Sequence, residues 1–132
     1  MDLIEKTRNA VIHAGTTFSE DRLRAYKRAL EIEEGNDNAL WALEQMIANS
    51  SVAAREGFPL CDDTGIPHVI IELGCEREIS GELINQIHEG IELGLNALPA
   101  RPMAVIGDDV ERIEQSRGLY EKPGMLRPAS IL

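Results

Sequence analysis

Aromatic residues, cysteines and positive charges are all scarce in this sequence of 132 residues. Phe, Trp and Tyr make up only 4% of the chain, so Leu, Ile, Val and Ala must form most of its core. Two cysteines 14 positions apart do not make the disulfide framework of a small secreted domain. A cytoplasmic location is therefore expected, where thiols more often bind metals or react than form cross-links.

No segment has the composition of a membrane span or of a signal peptide. No apolar run approaches the roughly 18 residues of a transmembrane helix. The N-terminal segment MDLIEKTRNA opens with an acid and lacks the basic start and apolar centre of a signal peptide. We expect no association with a membrane.

Acidic residues outnumber basic ones by 23 to 13, which gives a formal net charge of -10. Such a surface repels phosphate backbones, so nucleic acid is not an expected partner. The same field repels small anions at long range. A site for an anionic substrate must therefore hold local positive charge from arginine, a metal ion or helix N-termini.

Apolar residues at helical spacing, flanked by capping residues, predict three N-terminal helices. Their expected bounds are 3–14 before Gly15, from a Ser19 cap to Gly35, and from an Asn36 or Asp37 cap toward Arg55. The first 55 residues are therefore expected to be helical.

The second half of the chain predicts a mixture of strand and helix. The run HVIIELG, residues 68–74, has the composition of a short buried strand, and Ser80 begins a long amphipathic helix that Pro99 ends. A second short strand is expected over 103–107 and a short helix over 109–117.

These elements predict an α+β fold that is predominantly helical and belongs to a larger α/β domain. We expect one domain over 1–132, with a helical part at 1–55, a site loop at 56–67 and a strand–helix part at 68–132. The chain closes on apolar Ile131 and Leu132, whereas C-termini are usually exposed and frayed. This ending favours a fragment of a longer protein, or a subunit that docks its end on a partner.

The loop PLCDDTGIP, residues 59–67, places a thiol beside two acids, a hydroxyl and a glycine. As a thiolate, Cys61 is a soft ligand for an iron–sulfur cluster or zinc, and an adjacent carboxylate can act as a general acid or base. Gly65 permits a turn whose N–H groups can cradle an anion. The same residues also occur in ordinary turns, and a lone cysteine is often a small buried hydrophobe.

The segment GFPLCDDTGIPHVIIELG, preceded by three helices and followed by a long helix with a glycine at position 90, resembles class I fumarate hydratases. It is similar to the α chain of the related L-tartrate dehydratases too. In that family the loop reads Cys-Gln-Asp-Thr-Gly after a Gly-x-Pro-x lead-in and before a strand. The matching residues are Gly57, Pro59, Cys61, Asp63, Thr64 and Gly65. The resemblance covers approximately residues 1–107.

This resemblance implies a hydro-lyase that adds or removes water across a double bond next to carboxylates, in substrates such as malate and fumarate or tartrate. It implies a [4Fe–4S] cluster held by three cysteines, with Cys61 as the first metal ligand. For Asp63 it implies a catalytic carboxylate in proton transfer, which the Thr64 hydroxyl can orient.

Three further residues are assigned to substrate binding. Arg101 stands 40 residues after Cys61, where the family has an arginine that clamps a substrate carboxylate. Gly65 belongs to the anion-cradling turn. Asp62 replaces the family's substrate-binding glutamine, and its charge would repel a dicarboxylate. A substrate with more hydroxyls or with an amine is possible instead, because it could donate to this carboxylate. Arg127 is a second candidate carboxylate binder.

Two of the three cluster cysteines are missing, because in the family they lie well downstream and Cys75 is at neither position. We therefore expect the chain alone to bind no stable cluster and to show no hydratase activity. The other cysteines, and a β chain or second domain, must come from elsewhere. A homo-oligomer is also expected.

Two other functions stay open. The chain could be a non-catalytic helical binding or assembly module, or a truncated subunit, that docks on a partner through an apolar face. It could also be a small metal or redox protein that uses Cys61. Two flanking carboxylates disfavour a free thiolate there, which favours a metal as its charge partner over a reactive nucleophile.

Overall fold

A computed structural model describes residues 2–61, 63–64, 67–98 and 101–102. Most of this part of the chain lies in four helices: α1 (Leu3–Thr16), α2 (Glu20–Ile32), α3 (Asp37–Glu56) and α4 (Gly81–Ala97). Two strands of two residues each, β1 (Asp63–Thr64) and β2 (Arg101–Pro102), pair in parallel. The prediction of a predominantly helical chain is confirmed.

Helices α1, α3 and α4 begin at polar residues whose side chains accept hydrogen bonds from backbone N–H groups of the first turn. The Asn36 side chain accepts a hydrogen bond from the Ala39 N–H at 3.3 Å, and Ser80 Oγ accepts one from the Leu83 N–H at 3.1 Å. A helix cannot satisfy its first N–H groups by itself, so these caps fix where α3 and α4 start. The three N-terminal helices and the long helix after Ser80 are therefore present as predicted.

Helices α1 and α4 run side by side in the same direction, with their backbones in close contact. A β-carbon added at Gly90 would lie 2.6 Å from the Ile4 carbonyl oxygen and 2.6 Å from Thr7 Cβ. One turn further, a β-carbon at Gly94 would lie 2.7 Å from Val11 Cβ. Real β-carbons do not approach other atoms so closely, so these two glycines permit the observed distance between the helices.

Among the described residues, the buried core is small and is centred on α4. Its cluster consists of Ile87, Ile91 and Leu95, of which Ile91 is only 2% exposed. Partly buried side chains from α1 and from the segment after β1 pack against this cluster, including Val11 and Val69. The apolar face that the sequence predicted for α4 is therefore the face on which α1 and residues 67–74 pack.

The strand predicted over 68–74 is not confirmed. Residues 67–74 form no strand pairing among the described residues. Val69 and Ile71 pack on the α4 core, whereas Ile70 is 74% exposed, so the segment is not buried on both faces as expected. Such alternation is typical of a half-buried strand, but here helix α4 covers the apolar side. The larger α/β context is not confirmed either, and the elements predicted at 103–107 and 109–117 lie outside the described residues.

Helices α2 and α3 pack against each other and form an outer layer. No residue of α2 is buried, and Trp41 on α3 is 65% exposed. Among the described helices, none is both long enough and apolar enough to cross a bilayer.

Candidate functional site

The candidate site begins where α3 ends. Gly57 adopts a left-handed conformation, with φ of 70°, and its N–H donates to the Ala53 carbonyl. The Phe58 N–H donates to the same carbonyl at 3.1 Å. A residue with a side chain would be strained at this φ, so glycine suits this helix end. The turn directs the chain back toward α1.

Leu60, the residue before the candidate metal ligand, is held by two other parts of the chain. Its N–H donates to the Gly15 carbonyl at the end of α1, over 2.8 Å. Its carbonyl accepts a hydrogen bond of 2.9 Å from Asn49 Nδ2 on α3. Cys61 follows directly and is exposed. The loop therefore presents this thiol from an anchored backbone.

The end of α4 meets the end of α1 at the same glycine. A β-carbon added at Gly15 would lie 2.9 Å from Leu98 Cδ1, and Leu98 is 4% exposed. Leu60 and Leu98 each stand three positions before a residue of the β1–β2 pair, Asp63 and Arg101. The C-terminal end of α1 thus holds both segments that lead into the paired strands.

The two strands bring together the backbone of Asp63, the predicted catalytic carboxylate, and that of Arg101, the predicted ligand of a substrate carboxylate. In the parallel pair, Asp63 is the register partner of Arg101, and Thr64 is the partner of Pro102. Neighbouring strands lie about 5 Å apart. Residues that are 38 positions apart in the sequence are therefore adjacent in the backbone.

Three other candidate site residues, Asp62, Gly65 and Arg127, lie outside the described residues. Cys75 lies in an exposed turn in which the Arg77 N–H donates to the Gly74 carbonyl at 2.9 Å. Within the described ranges, no three His, Cys, Asp or Glu side chains are grouped so that they could hold a metal ion.

Sequence reasoning missed the residues that position the loop. In the sequence, Asn49 is an interior position of the third predicted helix, and Gly15 is the residue that follows the first. Both contact Leu60, which lies 11 positions after Asn49 and 45 positions after Gly15. Asn49 carries no local signal for this role, because an asparagine inside a helical pattern can equally point its side chain into solvent.

A sequence model described as fumarate hydratase (fumerase) matches residues 4–131 of the chain. The putative L(+)-tartrate dehydratase subunit alpha of Methanocaldococcus jannaschii is 31% identical over 105 residues, which are 78% of this chain and 35% of that protein. Fumarate hydratase 2 of Leishmania major is 31% identical over 74 residues, which are 56% of this chain and 13% of that protein. The chain thus spans about a third of the first relative's length and a smaller share of the second's.

Proposed function

The chain belongs to the fumarate hydratase family, and from that premise we propose that it forms the N-terminal part of an iron–sulfur hydro-lyase. The resemblance identified from the loop is confirmed by this membership. The proposed reaction is the reversible addition of water to a double bond in a small hydroxy di-acid, of the malate–fumarate or tartrate type. The observation that carries the proposal is the β1–β2 pairing, which places Asp63 beside Arg101.

Cys61 is the proposed cluster ligand of this chain. Its exposure supports that role, because a ligand must be reachable by the incoming metal. A [4Fe–4S] cluster with one open corner needs three thiolates, whereas the chain has two cysteines, and Cys75 is grouped with no other ligands in the described ranges. When bound, the cluster supplies a Lewis acid for the substrate hydroxyl and carboxylate. The chain alone is therefore proposed to be inactive, with the missing ligands contributed by the rest of the enzyme.

The proposed work of the chain's own residues is to bind the substrate and to move a proton. The Arg101 guanidinium matches a carboxylate with two parallel N–H donors and supplies positive charge in a chain of net charge -10. Water addition puts a proton on one carbon and hydroxide on its neighbour, and Asp63 is the proposed donor or acceptor of that proton. Thr64 is the proposed hydroxyl that orients a carboxylate. Asp62 favours a substrate with hydroxyls that can donate to it.

We also propose that a second subunit or domain accompanies this chain. The M. jannaschii relative is named a subunit alpha, which implies that a different subunit accompanies that protein. We infer the same arrangement here, with a β chain or a second domain completing the substrate site. The cytoplasmic location and the homo-oligomeric state stay predictions.

Anaerobic reconstitution of the complete gene product with iron and sulfide tests the activity. We expect it to convert a small hydroxy di-acid to the unsaturated acid, which can be followed by the ultraviolet absorbance of the conjugated double bond. If the reconstituted enzyme, with its cluster present, acts on no substrate of the malate or tartrate class, the hydro-lyase assignment is wrong.

Substituting Arg101 with glutamine is expected to lower kcat/KM by about 100-fold. The loss of two hydrogen bonds to a charged group, worth about 1.5 kcal/mol each, accounts for this factor. Arg101→Lys should recover part of the loss, because it keeps the charge without the planar fork. Steady-state kinetics with the reconstituted enzyme measures both effects.

Arg24→Gln is the matched control for that substitution. Arg24 lies on the outer helix α2, where it makes an exposed ion pair with Glu20 at 3.5 Å. Its replacement removes the same charge and should leave kcat/KM unchanged. Equal kcat/KM values for Arg101→Gln and Arg24→Gln would show that Arg101 is not part of the substrate site.

A further inference from the structure

We propose that Asn49 is a positioning residue that orients Cys61 for metal binding. The inference rests on the proposed function, since it assigns a role to Asn49 in that same site. Asn49 lies on α3, outside the motif that carries the family resemblance. Its effect on the thiol passes through the backbone of Leu60.

The contact that carries the proposal spans 11 residues of sequence. Asn49 Nδ2 donates to the Leu60 carbonyl oxygen at 2.9 Å. On the other side of the same residue, the Leu60 N–H donates to the Gly15 carbonyl at 2.8 Å. Both backbone polar groups of Leu60 are therefore held, one by α3 and one by α1.

The geometry of the peptide bond connects this contact to the thiol. The Leu60 carbonyl and the Cys61 N–H belong to one planar unit, which cannot twist without a large energetic cost. Fixing the carbonyl oxygen therefore fixes the orientation of the peptide plane that contains the Cys61 α-carbon. The direction of the cysteine side chain then depends on fewer free dihedral angles, which lowers the entropy lost when the thiolate binds a metal.

A purely structural role for Asn49 would give a different pattern of effects. The side chain is exposed, so water competes for the same hydrogen bond and the contribution to global stability is small. Loss of the bond should instead loosen the loop locally, in a segment that opens without global unfolding. A large effect on the loop and on the cluster, with little change in melting temperature, is the signature of positioning.

The first experiment measures the loop in the 132-residue chain without a cluster. Asn49→Asp keeps the side-chain shape but sets a carboxylate oxygen against the Leu60 carbonyl. Gln45→Glu, one turn earlier on α3, introduces the same charge change as a control. Hydrogen exchange of the Leu60 amide should accelerate about tenfold in Asn49→Asp and less than about twofold in Gln45→Glu. Equal exchange rates in the two variants would overturn the proposal. If the charge of Asn49→Asp disturbs folding, Asn49→Ser removes the bond without adding charge and takes its place.

The second experiment measures the cluster in the reconstituted complete gene product. The half-life of its visible iron–sulfur absorbance under an iron chelator should fall about tenfold in Asn49→Asp and stay at the wild-type value in Gln45→Glu. Faster exchange without faster cluster loss would show that Asn49 orders the loop but does not position the ligand, and the proposal would be wrong. The Cys61→Ser variant distinguishes a failure of this proposal from a failure of the proposed function. If its absorbance is unchanged, Cys61 is not a ligand of the cluster and the proposed function is wrong in that respect.

Discussion

Replacing Cys61 with serine is expected to abolish the visible absorbance of the reconstituted complete gene product. A hydroxyl is a poor substitute for a soft thiolate, and two remaining cysteine ligands cannot retain a cluster that already has one open corner. Iron and acid-labile sulfide bound after gel filtration should fall to the level of an unreconstituted sample. Activity should disappear with them.

Cys75→Ser is the matched control for this result. Cys75 has the same side chain and is also exposed, but it lies in the turn after residue 74 rather than in the loop that leads into β1. Its replacement should leave the absorbance and the iron content unchanged. If the two variants lose iron equally, the loss reflects general thiol chemistry and not a site at Cys61.

Substituting Gly90 with alanine is expected to destabilise the described helical part by about 1–3 kcal/mol. The added methyl would lie 2.6 Å from the Ile4 carbonyl oxygen, which belongs to the backbone of α1 and cannot rotate away. Helices α1 and α4 must then separate. This net figure already includes the helix propensity of alanine, which is about 1 kcal/mol more favourable than that of glycine. Urea unfolding followed by circular dichroism measures the change.

Gly81→Ala provides the comparison on the same helix. Nothing lies within 4 Å of a β-carbon added at Gly81, so alanine there should be neutral or stabilising by up to about 1 kcal/mol. The same free energy of unfolding for both variants would show that α1 and α4 do not pack as closely as described. Because Gly15 in the last turn of α1 contacts both Leu60 and Leu98, Gly90→Ala should shorten the half-life of the cluster as well.

The helical part was predictable from local chemistry. The Asn36 and Ser80 caps and the glycine at position 57 act within a few residues of themselves, and such signals can be read along a sequence. The α4 apolar face was predictable for the same reason, because its period of 3.6 residues is intrinsic to the helix. These elements hold the candidate site in place.

The arrangement of the site depends on contacts between distant residues, which the sequence pattern does not contain. Val69 and Ile71 have the composition of strand residues, but whether they meet a strand or helix α4 is decided by packing elsewhere. The family resemblance predicts a role for Asp63 and a role for Arg101, but it does not predict that their strands pair. The Asn49 contact with Leu60 was not anticipated at all, because it connects a helix to a loop without any motif.

An anomalous difference map would show whether Cys61 binds the iron of a cluster. Crystals of the anaerobically reconstituted complete gene product, measured at the iron absorption edge, would show where the metal lies. We expect an iron peak at bonding distance from Cys61 Sγ, next to the strand that carries Asp63. Iron bound at other cysteines, with Cys61 Sγ remote from every peak, would contradict it.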